Sequence, residues 1–240
     1  MANLNLQYVL DRTDELRARL IKTAILVISL SVIAYIFREH VLNFLQKPLK
    51  QENLIFIHPT EAFFTYIKIS LFVGVLIGAP FLIFQIVKFF YPSLKGKDGI
   101  SWIYITSLFL AGTAFFYLGS GFALRGVLPF AIKFLKGISG ENLEAVFTVG
   151  NYSSFVISFT LIFGFIFEIP VVTYGLASIG LLTKETLISK WRFIIAGAAV
   201  VAAVLTPPDP ITQMFLWGPL LILYGLSIVL AAIAGRNRNK

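Results

Sequence analysis

An apolar run over residues 145–183 sets the first limit on the fold, because Glu168 is its only charged side chain. An ionised side chain at the centre of a membrane helix costs roughly 2.5–3.5 kcal/mol on insertion scales, so it rarely persists without a role. Pro170 has no backbone N–H and frees a carbonyl one turn earlier, near Ile166. The run therefore predicts a membrane span in which the carboxyl group of Glu168 and an unpaired backbone carbonyl lie at similar depths in the bilayer.

Composition extends this conclusion to the whole chain. Of its 240 residues, 58% are hydrophobic and 13% are charged, against about 25% charged in a typical soluble domain. We therefore expect an all-α, polytopic integral membrane protein. The basic residues stand between apolar spans, so the net charge of +8 favours anionic lipid over nucleic acid as the counterpart.

Hydropathy divides this single domain, residues 1–240, into six predicted spans. They cover about residues 20–37, 63–90, 100–124, 152–177, 193–205 and 211–234. The last two are predicted to be short, since the fifth supplies only ~20 Å of helix against a hydrocarbon core of ~30 Å. Amphipathic stretches near residues 1–22, 41–49 and 127–135 predict helices on the membrane surface.

Lys and Arg are concentrated at both termini and in the loops of residues 88–99 and 182–192. Basic residues favour the cytoplasmic side, so both termini are predicted to be cytoplasmic. No nucleotide loop, cluster of metal ligands or pair of nucleophile and base is present in the sequence. We predict no enzyme activity, no catalytic residue, no metal and no cofactor.

Glu168 has two interpretations. It is either a polar contact, proton site or docking point for a partner at mid-membrane, or a carboxyl group satisfied inside the bundle, for instance by Gln213 or a hydroxyl group. Small residues also suit helix contacts in lipid. The glycines that supply them are Gly74, Gly78, Gly112 and Gly164.

Two further carboxylates lie in predicted cytoplasmic segments. Glu15 belongs to a charged stretch that is typical of a solvated helix face, with Glu15 and Arg19 as a favourable i,i+4 pair. Asp98, in a Lys- and Gly-rich loop, is typical of a turn. If both faced one patch, they would bind guanidinium groups through charge-assisted, bidentate hydrogen bonds.

The link between the last two spans contains Pro207, Pro208 and Asp209. Proline restricts the backbone and a side-chain oxygen of Asp can cap a helix, so we expect a rigid turn with Asp209 at the start of the next helix.

Taken in order, these motifs resemble TatC, the six-span core of the twin-arginine protein translocase. The residues that carry the resemblance are Glu15-Leu16-Arg17-x-Arg19-Leu20, Pro48-Leu49, Phe64-Thr65-Tyr66-Ile67-Lys68, Ala79-Pro80, Tyr91-Pro92-x-Leu94, Phe167-Glu168-x-Pro170, Leu205-Thr206-Pro207-Pro208-Asp209 and Gln213.

The resemblance implies a receptor for twin-arginine signal peptides on folded proteins. It implies partners of the TatA and TatB type, each with one membrane span, and export driven by the proton-motive force. It also implies an oligomeric receptor complex in the cytoplasmic (inner) membrane of a bacterium or archaeon.

The resemblance further assigns roles by position. The twin-arginine site would contain Glu15, Arg17 and Asp98, although Asp98 stands where the family usually carries Glu, and basic residues do not follow it. Glu168 and Gln213 would contact partner helices. Structural or assembly roles would fall to Pro48, Pro80, Pro170, Pro207, Pro208 and Asp209.

Two other functions remain open from the sequence. A proton-coupled transporter of small solutes would use Glu168 as its coupling site, but it would need a cavity with several polar groups and commonly an internal repeat. The sequence offers few such groups and no repeat. A scaffold without an active role is the third interpretation.

Overall fold

The structure is a computed structural model that describes residues 2–47, 54–95, 102–138, 148–205 and 210–238. These residues are mainly helical, as predicted, with one isolated β-bridge between Ile55 and Thr148. The helices are α1 (Ala2–Ile36), α2 (Arg38–Gln46), α3 (Pro59–Lys95), α4 (Trp102–Phe122), a π-helix (Ala123–Val127), α5 (Leu128–Ile138), α6 (Val149–Phe167), α7 (Ile169–Ser178), α8 (Lys184–Ser189), α9 (Trp191–Leu205) and α10 (Pro210–Arg238).

The helices confirm a polytopic membrane protein. Within the described residues, five stretches are long and apolar enough to cross a bilayer: Thr13–Ile36, Pro59–Phe89, Trp102–Phe134, Val149–Ser178 and Leu216–Arg236. A sixth, Trp191–Ala203, is apolar but shorter. The last two are the shortest of the six, and the 15 residues of α9 span only ~22 Å of a ~30 Å hydrocarbon core.

The N-terminal segment is helical, as predicted, and is continuous with the first span. Residues 1–22 were expected to form a surface helix that leads into the first span, and α1 runs without interruption from Ala2 to Ile36. The reason is local, because this stretch contains neither Pro nor Gly, and the Glu15–Arg19 pair bridges successive turns where the polar part meets the apolar part. The short amphipathic helices predicted near residues 41–49 and 127–135 correspond to α2 and α5.

Neighbouring spans pack antiparallel and closely. α1 lies along α3, where a Cβ added to Gly74 would clash with Ser31 and would lie 2.7 Å from the carbonyl oxygen of Val27. α4 lies along α6, where a Cβ added to Gly164 would lie 2.7 Å from Ser120 Oγ. These glycines therefore serve contacts within the chain, and both helix pairs approach too closely to admit a side chain there.

Pro80 lies inside α3 and deprives the carbonyl of Leu76 of its helical donor. The hydroxyl of Tyr117 on α4 donates a hydrogen bond to that carbonyl oxygen at 3.1 Å. The proline is thus accommodated by a contact between two spans.

At the end of the bundle opposite the termini, polar contacts join α2, α3 and α6. Glu61 Oε1 accepts a hydrogen bond from the backbone N–H of Gly150 at 2.8 Å. The buried hydroxyl of Tyr152 donates to the carbonyl of Leu45 at 2.7 Å, close to the C-terminus of α2. Both contacts satisfy backbone groups at helix ends that lack partners inside their own helix.

Candidate recognition and docking sites

The helix breaks at Glu168, as Pro170 predicted. α6 ends at Phe167 and α7 begins at Ile169. The N–H of Glu168 donates to the carbonyl of Phe165, three residues earlier, at 3.1 Å. Pro170 has no donor to continue the ladder. The carboxyl group is therefore presented from a break rather than from a regular helical turn.

The side chain of Glu168 is half-buried, and its Oε1 is buried without a hydrogen-bond partner among the described residues. A Cβ added at Gly112 on α4 would lie 3.1 Å from Glu168 Oε2 and 2.9 Å from Ile83 Cγ2. Gly112 thus leaves the space that the carboxyl group occupies. A buried polar atom without a partner costs about 1–3 kcal/mol.

Glu168 faces a groove of about 250 Å³ between α3, α4, the end of α6 and α7. We call this the Glu168 groove. Its other lining residues are apolar, and they include Ile83, Val87, Leu108, Val172 and Ile179. An apolar groove with a single carboxyl group suits an apolar helix that carries one polar group. Solute transport would instead require several polar groups around a cavity.

Gln213 does not satisfy Glu168. Its Nε2 donates to the carbonyl of Ala199 at 3.1 Å, and the indole N–H of Trp217 donates to the carbonyl of Ile195 at 3.2 Å. Both bonds join α10 to α9. The structure therefore gives Gln213 a contact within the last pair of helices and does not join it to Glu168.

Glu15 lies on α1 and pairs with Arg19 one turn later. Arg19 Nη2 lies 2.5 Å from Glu15 Oε1, and Arg19 Nε donates to the same oxygen at 3.2 Å. Arg19 Nη1 donates to Gln85 Oε1 on α3 at 2.9 Å. One guanidinium group thus bridges a carboxylate on α1 and an amide on α3.

The structure describes only some of the remaining residues that were predicted to act in recognition or assembly. Arg17 is exposed on α1. Five predicted residues lie outside the described ranges: Pro48, Asp98, Pro207, Pro208 and Asp209. The structure therefore places Glu15 and Arg17 on one helix and does not test their proximity to Asp98.

Sequence reasoning missed Gln85. Its amide stands alone in the apolar stretch between Lys68 and Lys88, which is a weak signal of a polar contact in a membrane span. Ile83 and Ile86 line the Glu168 groove, while Gln85 meets Arg19. Helix α3 therefore contributes to both candidate sites.

Comparison with known proteins gives a consistent result. The model of the Sec-independent protein translocase protein (TatC) family matches residues 11–219. The chain is 38% identical to the TatC of Aquifex aeolicus, with 96% of this chain and 97% of that protein covered. It is 36% identical to the TatC of Desulforapulum autotrophicum, with 95% and 86% covered.

A solved structure agrees with the fold. The crystal structure of a Twin Arginine Translocase Receptor-TatC in DDM has a TM-score of 0.83 and 37% sequence identity, and the match covers 92% of this chain and 99% of that one. With a family match over most of its length, close relatives and a shared fold, this chain belongs to the TatC family.

Proposed function

We propose that this chain is the receptor subunit of a twin-arginine protein translocase. It binds signal peptides with consecutive arginines on folded proteins, and it docks single-span partners of the TatA and TatB type. The observation that carries the proposal is the half-buried carboxyl group of Glu168 at an open apolar groove, whose Oε1 has no hydrogen-bond partner within the described part of the chain. Relatives named as translocase proteins and a solved structure described as a translocase receptor support it.

Signal-peptide recognition is assigned to Glu15, Arg17 and Asp98. A carboxylate accepts two parallel hydrogen bonds from a guanidinium group, which a lysine cannot supply in the same geometry. Glu15 already binds a guanidinium group, that of Arg19. The site therefore has the chemistry that selection of arginine requires.

Partner docking is assigned to the Glu168 groove. Helix association in lipid relies on close packing and on hydrogen bonds between helices. A single-span partner with one polar side chain at the depth of Glu168 would satisfy Oε1 and cover the apolar lining. Gln213 is assigned a supporting role in the neighbouring pair α9 and α10.

The membrane orientation follows from charge. Basic residues cluster at both termini and in two loops on the same side, so both termini are proposed to be cytoplasmic. The protein is proposed to lie in the cytoplasmic membrane of a bacterium or archaeon and to assemble as an oligomer. Transport is proposed to draw on the proton-motive force, with no enzymatic step in this chain.

Recognition is tested by the binding of a fluorescent signal peptide to the full chain in detergent. Glu15→Gln and Asp98→Asn should each weaken the binding of an Arg-Arg peptide, and a Lys-Lys peptide should bind weakly to all proteins. Asp14→Asn is the matched control, because Asp14 is an exposed carboxylate on the same turn of α1. Wild-type affinity in the double variant would refute the site assignment.

Docking is tested separately with Glu168→Ala, which removes the carboxyl group and its capacity to form hydrogen bonds with a partner helix. Peptide binding should be retained, whereas export of a folded precursor in cells should be lost. Glu185→Ala is the control, since Glu185 is an exposed carboxylate outside the spans. Normal export by the Glu168 variant would remove its proposed role.

A further inference from the structure

The guanidinium group of Arg19 is bound by acceptors from two helices, as a ligand is bound in a guanidinium-binding site. The guanidinium group donates to Glu15 Oε1 through Nε and Nη2, and to Gln85 Oε1 through Nη1. Its side chain is only 14% exposed, against 34% for Glu15. Two acceptors from two helices therefore surround one planar cation and use three of its nitrogen atoms.

We infer that Glu15 and Gln85 form a guanidinium site that Arg19 occupies at rest, and that an arginine of the signal peptide binds there in exchange for Arg19. The inference rests on the proposed function, in which Glu15 receives the peptide. It adds Gln85 as a further binding residue and assigns Arg19 the role of an internal competitor.

The charges of the site support exchange rather than simple addition. The carboxylate of Glu15 and the guanidinium group of Arg19 form a set of two opposite charges. This set is neutral overall, so a peptide arginine added beside Arg19 would meet a like charge at Glu15. If Arg19 moves away, the incoming guanidinium group can form the same three hydrogen bonds with Glu15 and Gln85.

Exchange also fits the positions of the residues. Arg19 stands on α1 one turn beyond Glu15, and its neighbours Arg17, Ala18 and Leu20 are exposed. Its long side chain can therefore extend from the same backbone position toward the headgroup region when it leaves the site. Gln85 remains on α3, half-buried, as a fixed acceptor for either arginine.

The test is a binding assay with the full chain in detergent and a fluorescent Arg-Arg signal peptide. Arg19→Gln should tighten binding about twofold to tenfold, the factor expected when a partly exposed ion pair no longer competes. Lys22→Gln removes the same charge one turn further along α1 from an exposed residue, and it should leave the affinity near wild type. Weaker or unchanged binding by Arg19→Gln would overturn the exchange.

Salt dependence supplies a second readout that a purely structural role would not change. In the wild type one ion pair replaces another at Glu15, so this position should add little to the salt dependence of the affinity. In Arg19→Gln a new pair forms on binding, so affinity should fall more steeply as salt rises. Equal salt dependence in the two proteins would contradict the inference.

Two further variants test the role of Gln85 and provide an alternative if Arg19→Gln does not fold. In the Arg19→Gln background, Gln85→Leu should weaken peptide binding, and an unchanged affinity would remove Gln85 from the site. If Arg19→Gln does not fold, Arg19→Lys keeps the cation but lacks the planar set of donors. It should bind the peptide more tightly than wild type does, and failure to do so would count against exchange.

The inference and the proposed function can fail separately. If Glu15→Gln leaves peptide affinity unchanged, recognition at Glu15 is wrong and the proposed function loses its site. If Glu15→Gln weakens binding while Arg19→Gln does not tighten it, recognition stands and only the exchange is wrong.

Discussion

Replacing Glu168 by leucine should make the isolated protein more stable, although it should abolish export. The carboxyl group is half-buried, its Oε1 has no hydrogen-bond partner among the described residues, and the groove around it is apolar. Leucine has a similar volume and needs no partner. The substitution therefore removes an unsatisfied polar group from apolar surroundings without opening a cavity.

The size of the effect follows from these contacts. Relief of an unsatisfied buried polar atom is worth about 1–3 kcal/mol. A leucine at this position gains little from apolar burial, because lipid tails are as apolar as its side chain. Since part of the carboxyl group remains accessible in the groove, we expect a gain of about 1–3 kcal/mol in the free energy of unfolding.

The measurement is unfolding of the purified chain in mixed micelles with an increasing fraction of denaturing detergent. Glu168→Leu should unfold at a higher fraction than wild type. Val172→Leu is the control, because Val172 is exposed in the same groove and is already apolar. A Glu168→Leu protein that is no more stable than wild type would show that the carboxyl group is satisfied in the resting chain, which would refute the reasoning.

Two further predictions concern packing. Gly74→Ala should destabilise the chain by about 1–3 kcal/mol, because the added methyl group would meet the backbone of α1. Gly197→Ala, where an added Cβ has nothing within 4 Å, should be near neutral in the same unfolding assay. Tyr152→Phe should cost about 1–3 kcal/mol by leaving the carbonyl of Leu45 without its donor. Equal stability of either variant and wild type would contradict the corresponding contact.

The order of the spans and the break in the fourth could be predicted because their causes are local. Long apolar runs must form helices in lipid, since their backbone groups have no other partners there. Pro170 removes one donor at a known position, and the structure breaks the helix at Glu168. The length of α9 likewise follows from the number of apolar residues before the next polar segment.

The contacts that define the candidate sites could not be predicted, because they join residues far apart in the chain. The Glu15–Arg19 pair follows from i,i+4 spacing, but the bond from Arg19 to Gln85 crosses 66 positions. The space that Gly112 leaves for Glu168 depends on how α4 packs against α6. The unbroken course of α1 from residues 1–22 into the first span follows from the absence of Pro and Gly, which the pattern of hydrophobic residues alone does not show.

The bond from Tyr117 to Leu76 bears on which parts of the protein can move. Proline is a common cause of kinks in helices, because the carbonyl one turn earlier loses its helical donor. Here the hydroxyl from α4 holds that carbonyl, so a change in the bend of α3 would break a bond inside the membrane. We therefore expect α3 and α4 to tilt together as one rigid body.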